Sequence, residues 1–207
     1  MIFEQIPVGH MQNFCYLIGD EKAKECAVVD PAWEDKKILN FAKKHDLQIK
    51  KIILTHTHYD HTEGCKRMQD LTGAEVIVHK DGFKDAEQLG VSSVKSVKDG
   101  DIIKIGKLEM KVMHTPGHIP SMMCLLIGKK LLTGDTLFVE GCGRIDLPGG
   151  DIRKHWESLQ KIKGMDDSIE IYPGHDYGSV PHSTVGREKK SNPYLRCRSL
   201  GEFSMAR

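Results

Sequence analysis

The segment Lys51-Ile52-Ile53-Leu54-Thr55 runs directly into His56-Thr57-His58-Tyr59-Asp60-His61, and this junction constrains the fold more than any other stretch of the chain. The short, nearly continuous apolar run predicts a strand buried on both faces. If the backbone stays extended one step further, His56 and His58 project to the same side, because strand side chains alternate with period two. Asp60 and His61 follow where the chain turns toward the next helix. Three imidazoles and a carboxylate crowded together would repel when protonated, and would be costly to bury without a shared cation. Neutral imidazole and carboxylate are ligands that Zn²⁺ and Fe²⁺ accept. The junction therefore predicts a metal site at a strand end.

Three later positions follow the same grammar. His114 comes after Met110-Lys111-Val112-Met113 and opens His114-Thr115-Pro116-Gly117-His118; Asp135 follows Leu131-Leu132-Thr133-Gly134; His175 follows Ile171-Tyr172-Pro173-Gly174. Each has a glycine close by, which permits a tight turn at the strand end. Together with the first cluster they supply enough ligands for two metals. The surrounding pattern alternates strands and helices. Phe14–Ile18 and Cys26–Asp30 read as paired strands, Glu34–His45 as a helix, and Thr62–Leu71 as a helix capped by Asp60 or Thr62 and ended by Gly73. Glu75–His79 reads as a strand. Hairpins are predicted about Gly106-Lys107 and Gly128-Lys129, then a helix over Ile152–Ile162 and a last strand over Ile169–Tyr172. Such a mixture predicts a layered α/β domain.

Composition narrows the classes. The length of 207 residues suits one domain, 1–207, with a full core. A net charge of +1 leaves no electrostatic footprint for nucleic acid or a membrane surface. The locally basic stretch from Arg187 to Arg207 reads as a solvated face. No apolar run approaches the roughly 18 to 20 residues that span a bilayer. Met1-Ile2-Phe3-Glu4-Gln5-Ile6-Pro7 lacks the basic and apolar regions of an export signal. The cysteines Cys15, Cys26, Cys65, Cys124, Cys142 and Cys197 are scattered, with no C-x-x-C pair, and read as reduced thiols in the cytoplasm.

As a set, THTHYDH, HTPGH, GDTLF and YPGHDY resemble, in order and spacing, the signature motifs of the metallo-β-lactamase superfamily. The resemblance covers nearly the whole chain. It implies an αββα sandwich with the site at one edge between two sheets. Carried over by position, it implies that His56, His58 and His114 hold one metal, that Asp60, His61 and His175 hold a second, and that Asp135 bridges them. The flavodiiron branch has Glu where this chain has His58, and the nuclease branch carries a large insertion for which the chain has no room. His118 and Asp30 are expected to orient ligands rather than bind metal. His79 is read as structural, and His10, His45, His155 and His182 receive no role.

Two metals about 3.5 to 4 Å apart can share a hydroxide at neutral pH, with Asp60 placed to ligate and to orient it. A thioester suits such a site because its leaving thiolate needs no dedicated acid, whereas an amide or β-lactam nitrogen would. Within the superfamily, Gly134–Phe138 continuing into Val139-Glu140-Gly141-Cys142-Gly143-Arg144 looks like the glyoxalase II (hydroxyacylglutathione hydrolase) branch. That likeness implies that Arg144 and Tyr177 contact the thiol carrier, glutathione; Cys142 is read as a packed thiol. Asp146 stands where the branch has an aromatic residue, and the branch's C-terminal helical domain has no counterpart within 1–207. The stretch Gly141–Asp146, with His175-Asp176-Tyr177, Ser183-Thr184-Val185 and Asn192-Pro193, also looks like the persulfide dioxygenases of the superfamily, which bind one iron through positions matching His56, His114 and Asp135. The expected function is thus a zinc- or iron-dependent hydrolase of a small thioester, with a single-iron dioxygenase as the alternative. A binding scaffold would have lost ligands, and none is lost. The oligomeric state stays open, a homodimer being one option.

Overall fold

The layering follows from alternation along the strands. In β2 (Asn13–Asp20), Cys15 and Leu17 join one apolar cluster, while Phe14, Tyr16 and Ile18 join another on the opposite face. A strand with both faces apolar must be covered on both sides. The computed structural model, which describes residues 1–207, shows how this is met. One sheet contains β1 (Ile2–Val8), β2, β3 (Glu25–Val29), β4 (Gln48–Ile53), β5 (Glu75–His79) and β6 (Val94–Val97), in that order. Pairing is antiparallel from β1 to β3 and parallel from β3 to β6. The other sheet contains β7 (Ile102–Ile105), β8 (Leu108–His114), β9 (Met123–Ile127), β10 (Lys130–Gly134), β11 (Glu170–Pro173) and β12 (Ser183–Thr184), ordered β12-β11-β10-β9-β8-β7. Only β10 and β11 pair in parallel there.

The helices are α1 (Asp35–Lys44), α2 (Tyr59–Thr62), α3 (Cys65–Thr72), α4 (Phe83–Gln88), α5 (Ile152–Lys163), α6 (Val185–Ser191), α7 (Pro193–Arg196) and α8 (Leu200–Ala206). Ile38, Ala42, Met68 and Ala86 bring α1, α3 and α4 onto the outer face of the first sheet. Leu159, Ile162, Val185, Leu195 and Phe203 bring α5 to α8 onto the outer face of the second. Between the sheets, Phe14, Ile18, Val29 and Ile53 meet Met110, Val112, Leu125 and Leu132. This is the expected αββα sandwich. No helix is long and apolar enough to cross a membrane.

Two local expectations change. The single helix over Thr62–Leu71 is broken into α2 and α3 at Gly64, where a Cβ would lie 2.4 Å from the Pro31 carbonyl oxygen. Neither Asp60 nor Thr62 caps it: His58 precedes α2 and Gly64 precedes α3, both without a side-chain cap bond. Gly73 does close α3, at φ 67°, a left-handed conformation that glycine adopts without steric cost. At the edge where β3, β4, β10 and β11 end, backbone bonds tie neighbouring strands and the two layers together. Asp30 N donates to Ile53 O at 3.0 Å, Met123 N to Thr55 O at 3.0 Å, and Phe14 N to Gly174 O at 2.8 Å.

Candidate metal centre

The strand ends bring His56, His58, Asp60, His61, Asp135 and His175 to one place, together with His118. His56, His58 and His118 form one group of mutually close donor atoms, and Asp60, His61 and His175 form another. Asp135 stands between them: its Oδ2 is 3.5 Å from His118 Nε2 and 3.4 Å from His175 Nε2, and its Oδ1 is 3.3 Å from His61 Nε2.

The ring nitrogens are presented by their outer partners. His118 Nδ1 donates to the Arg144 carbonyl at 2.6 Å, and His175 Nδ1 donates to the Met11 carbonyl at 2.9 Å. A carbonyl can only accept, so in each neutral ring it is Nε2 that carries the lone pair and faces the cluster. His61 Nδ1 lies 3.1 Å from Asp30 Oδ2, which turns His61 Nε2 inward to within 3.2 Å of His175 Nε2. His118 Nε2 is only 2.9 Å from His58 Nδ1. Asp60 is held by Asn13, whose Nδ2 donates to both the Asp60 carbonyl and its Oδ2 at 3.0 Å. Asn13 and the Met11 carbonyl carry no signal in the sequence: one is a strand residue, and the other is backbone.

His114 does not join this centre, which corrects the ligand expected from HTPGH. It is the last residue of β8, paired with Met123, and its ring stacks on His79 at 3.8 Å and 14°. Its Nε2 is 2.8 Å from the Pro120 carbonyl oxygen. The chain needs the Thr115-Pro116-Gly117 turn to reach the cluster, so the next histidine, His118, arrives there instead. Gly117 makes that path passable: it sits at φ 136°, and a Cβ would meet the His155 backbone at 2.2 Å. Asp81 also lies near the His79–His114 stack. Rings in nearly parallel planes do not aim two lone pairs at one point, so this trio is structural.

The electrostatics ask for a cation. Burial, then the charges of neighbouring imidazoles, push His58 down to about 4 and His56 well below its ordinary range. Burial opposes ionisation of Asp60, yet the hydrogen bond from His175, the His61 charge and Asn13 hold its pKa at about 2. Burial likewise disfavours charge on His175, but Asp135 and Asp60 outweigh it and lift the imidazole to about 9. The carboxylates thus draw positive charge inward, whether a proton or a metal. His56 Nε2 and Asp135 Oδ1 are buried with no hydrogen-bond partner in the chain, an arrangement costly unless something else satisfies them. The nitrogen and carboxylate donors fit two divalent cations of the zinc or iron kind.

A cavity of about 740 Å³ opens beside the centre, walled by Met11, Tyr59, Phe138, Leu147, Pro148, Tyr177 and Tyr194. Arg144 and Tyr177, the expected carrier contacts, both line it. Arg144 is already gripped by Asp146 through two bonds of 2.7 and 2.6 Å. Tyr177 stacks on His175 at 4.5 Å and 12°, and its hydroxyl donates to the Met11 carbonyl at 3.2 Å. Burial pushes the Cys142 thiol up to about 12, so it lines the cavity as a neutral packed group.

A family model described as the metallo-beta-lactamase superfamily matches residues 8–175. The chain is 32% identical over 185 residues to the probable polyketide biosynthesis zinc-dependent hydrolase PksB of Bacillus subtilis (strain 168), across 89% of this chain and 82% of that protein. It is 32% identical over 217 residues to the hydroxyacylglutathione hydrolase GloC of Haemophilus influenzae, across 96% of this chain and 100% of that protein. The crystal structure of ETHE1 from Myxococcus xanthus is similar with a TM-score of 0.90 and 31% identity, covering 98% of this chain and 88% of that one. Sequence and fold agree that the chain belongs to the metallo-beta-lactamase superfamily.

Proposed function

We propose that the protein is a thioester hydrolase of glyoxalase II type, with His56, His58 and His118 holding one divalent metal, Asp60, His61 and His175 holding a second, and Asp135 between them. The observation that carries this reading is the second donor set. His61 Nε2 and His175 Nε2 are 3.2 Å apart, and Asp60 Oδ2 is 3.5 and 3.3 Å from them. The set gives the chain the capacity for two metals; the persulfide dioxygenase branch carries the same seven residues, so the number of metals bound is what separates the two readings. The likeness to the hydroxyacylglutathione hydrolase of H. influenzae over that protein's full length supports the same class.

Bound metals would supply a water of lowered pKa and an electrophilic pole for a carbonyl oxygen. The chain's own residues do the rest. Asp60, clamped by Asn13, would orient the attacking water as well as hold metal. Outside the metal cluster the cavity offers no strong acid for the leaving atom, Tyr194 being the one lining residue whose hydroxyl the chain leaves unengaged. Cys142 and Tyr177 are both shifted up, and the Tyr177 hydroxyl is spent on Met11. A thiolate leaves without such a donor and an amide nitrogen does not, which favours a thioester over an amide or β-lactam. All six cysteines are unpaired and buried, which supports an address in the reducing cytoplasm.

The second reading is a persulfide dioxygenase with one iron on His56, His118 and Asp135. The likeness to the M. xanthus ETHE1 structure supports it. One preparation from iron- and zinc-supplemented cells separates the two. About two metals per chain with thioester hydrolysis supports the hydrolase; near one iron, with O₂ uptake on glutathione persulfide, overturns it.

A further inference from the structure

The cavity beside the metal centre offers ring faces and no free charge. Tyr59 and Tyr177 both turn their hydroxyls onto Met11, to its sulfur at 2.8 Å and its carbonyl at 3.2 Å. Phe138 meets Tyr177 edge to face at 5.4 Å. The cavity's two charged side chains outside the metal cluster are each compensated within the chain. Arg144 is held by both oxygens of Asp146, and Glu140 accepts from Arg187 and from Ser179, each at 2.8 Å. The Tyr194 hydroxyl is the exception, having no bond within the chain.

We infer that the cavity selects a neutral thioester whose hydrocarbon group lies between Tyr59, Phe138 and Tyr177, rather than one carried on an anionic peptide thiol. The inference rests on the thioester reading and narrows it to a substrate class. A carrier with two carboxylates would find one guanidinium already doubly engaged by Asp146, and the Glu140 carboxylate elsewhere in the same lining. A hydrocarbon chain would instead leave water against aromatic faces, a gain of about fourfold in affinity for each methylene fully buried.

The test uses thioether analogues, which cannot be hydrolysed, titrated into the zinc-loaded protein by calorimetry. S-hexyl-N-acetylcysteamine is expected to bind at least tenfold more tightly than S-methyl-N-acetylcysteamine, and S-hexylglutathione within about threefold of the neutral hexyl compound. Tyr59→Ala, at a surface-exposed ring, should shrink the hexyl advantage over the methyl compound at least threefold. Equal binding of methyl and hexyl compounds, a tenfold preference for glutathione, or an unaltered hexyl advantage in Tyr59→Ala each overturns the inference. Because binding needs no turnover, absence of thioester hydrolysis with the hexyl preference intact overturns the hydrolase reading alone.

Discussion

Asp30 reaches from the end of β3 to fix the ring of His61: its Oδ2 lies 3.1 Å from His61 Nδ1, and the same carboxylate accepts from Thr55 N at 2.7 Å and Thr55 Oγ1 at 2.6 Å. Asp30 sits at φ 51°, a region that Asp and Asn tolerate better than most residues. Asp30→Asn therefore keeps the backbone and leaves one oxygen for Thr55, while weakening the acceptor that orients His61. Zinc affinity, measured by competition with a chromogenic chelator, should fall about 10- to 100-fold. An affinity equal to wild type would deny Asp30 this role.

The ligand mapping separates two histidines four positions apart. His118→Ala should lower the metal content of the purified, folded protein and abolish thioester hydrolysis, whereas His114→Ala should keep both metals. Loss of metal in His114→Ala with full occupancy in His118→Ala would restore the assignment that the motif alone suggests.

That choice shows where local reading stops. His56 to His61 are legible because the buried strand and its ligands are contiguous, and Asp135 and His175 because each follows a strand end directly. Between His114 and His118 the answer depends on how far the Thr115–Gly117 turn carries the chain, and that is set by Gly117 packing on α5. Asn13 reaches Asp60 from 47 positions away in sequence, so no spacing rule finds it. Strand β1 went unread because Pro7 and a mostly half-buried pattern hide its period. The helices α6 to α8 are four to seven residues long and show little periodicity of their own; they are held by Val185, Leu195 and Phe203 on the outer sheet face.

Asp146 should act as the counter-charge that keeps Arg144 from anions. Both side chains are more than half exposed, so their pair is open to competition from solvent and salt. Asp146→Asn is expected to tighten S-hexylglutathione about three- to tenfold at low salt, with no change for S-hexyl-N-acetylcysteamine. Arg144→Ala, with Asp146 already holding the guanidinium, should leave the KM for an anionic thioester within about twofold of wild type, whereas a rise in KM larger than the fall in kcat would show that Arg144 binds the anion. The unchanged KM would leave Arg144 the task of bracing the Gly141–Asp146 loop.

His155 is one of the buried histidines through which acid should destabilise the fold. It is fully buried on α5, stacked near Phe203 at 6.0 Å, and neither ring nitrogen has a hydrogen-bond partner. Burial first, then the Arg207 charge, pushes it down to about 3. A folded-state pKa below the ordinary 6.5 means that the unfolded chain takes up a proton which the native state refuses. Stability is therefore lost as the pH falls from about 6.5 toward 3, by roughly 1.4 kcal/mol per unit. His155→Leu removes this linkage and also removes two buried polar atoms that lack partners. Urea unfolding at pH 6.5 and pH 5, on proteins of equal metal content, should show wild type losing roughly 2 kcal/mol more than the variant. The remaining histidines titrate in both proteins and cancel in the difference, so parallel losses would show that His155 is not one of the groups through which acid destabilises the fold.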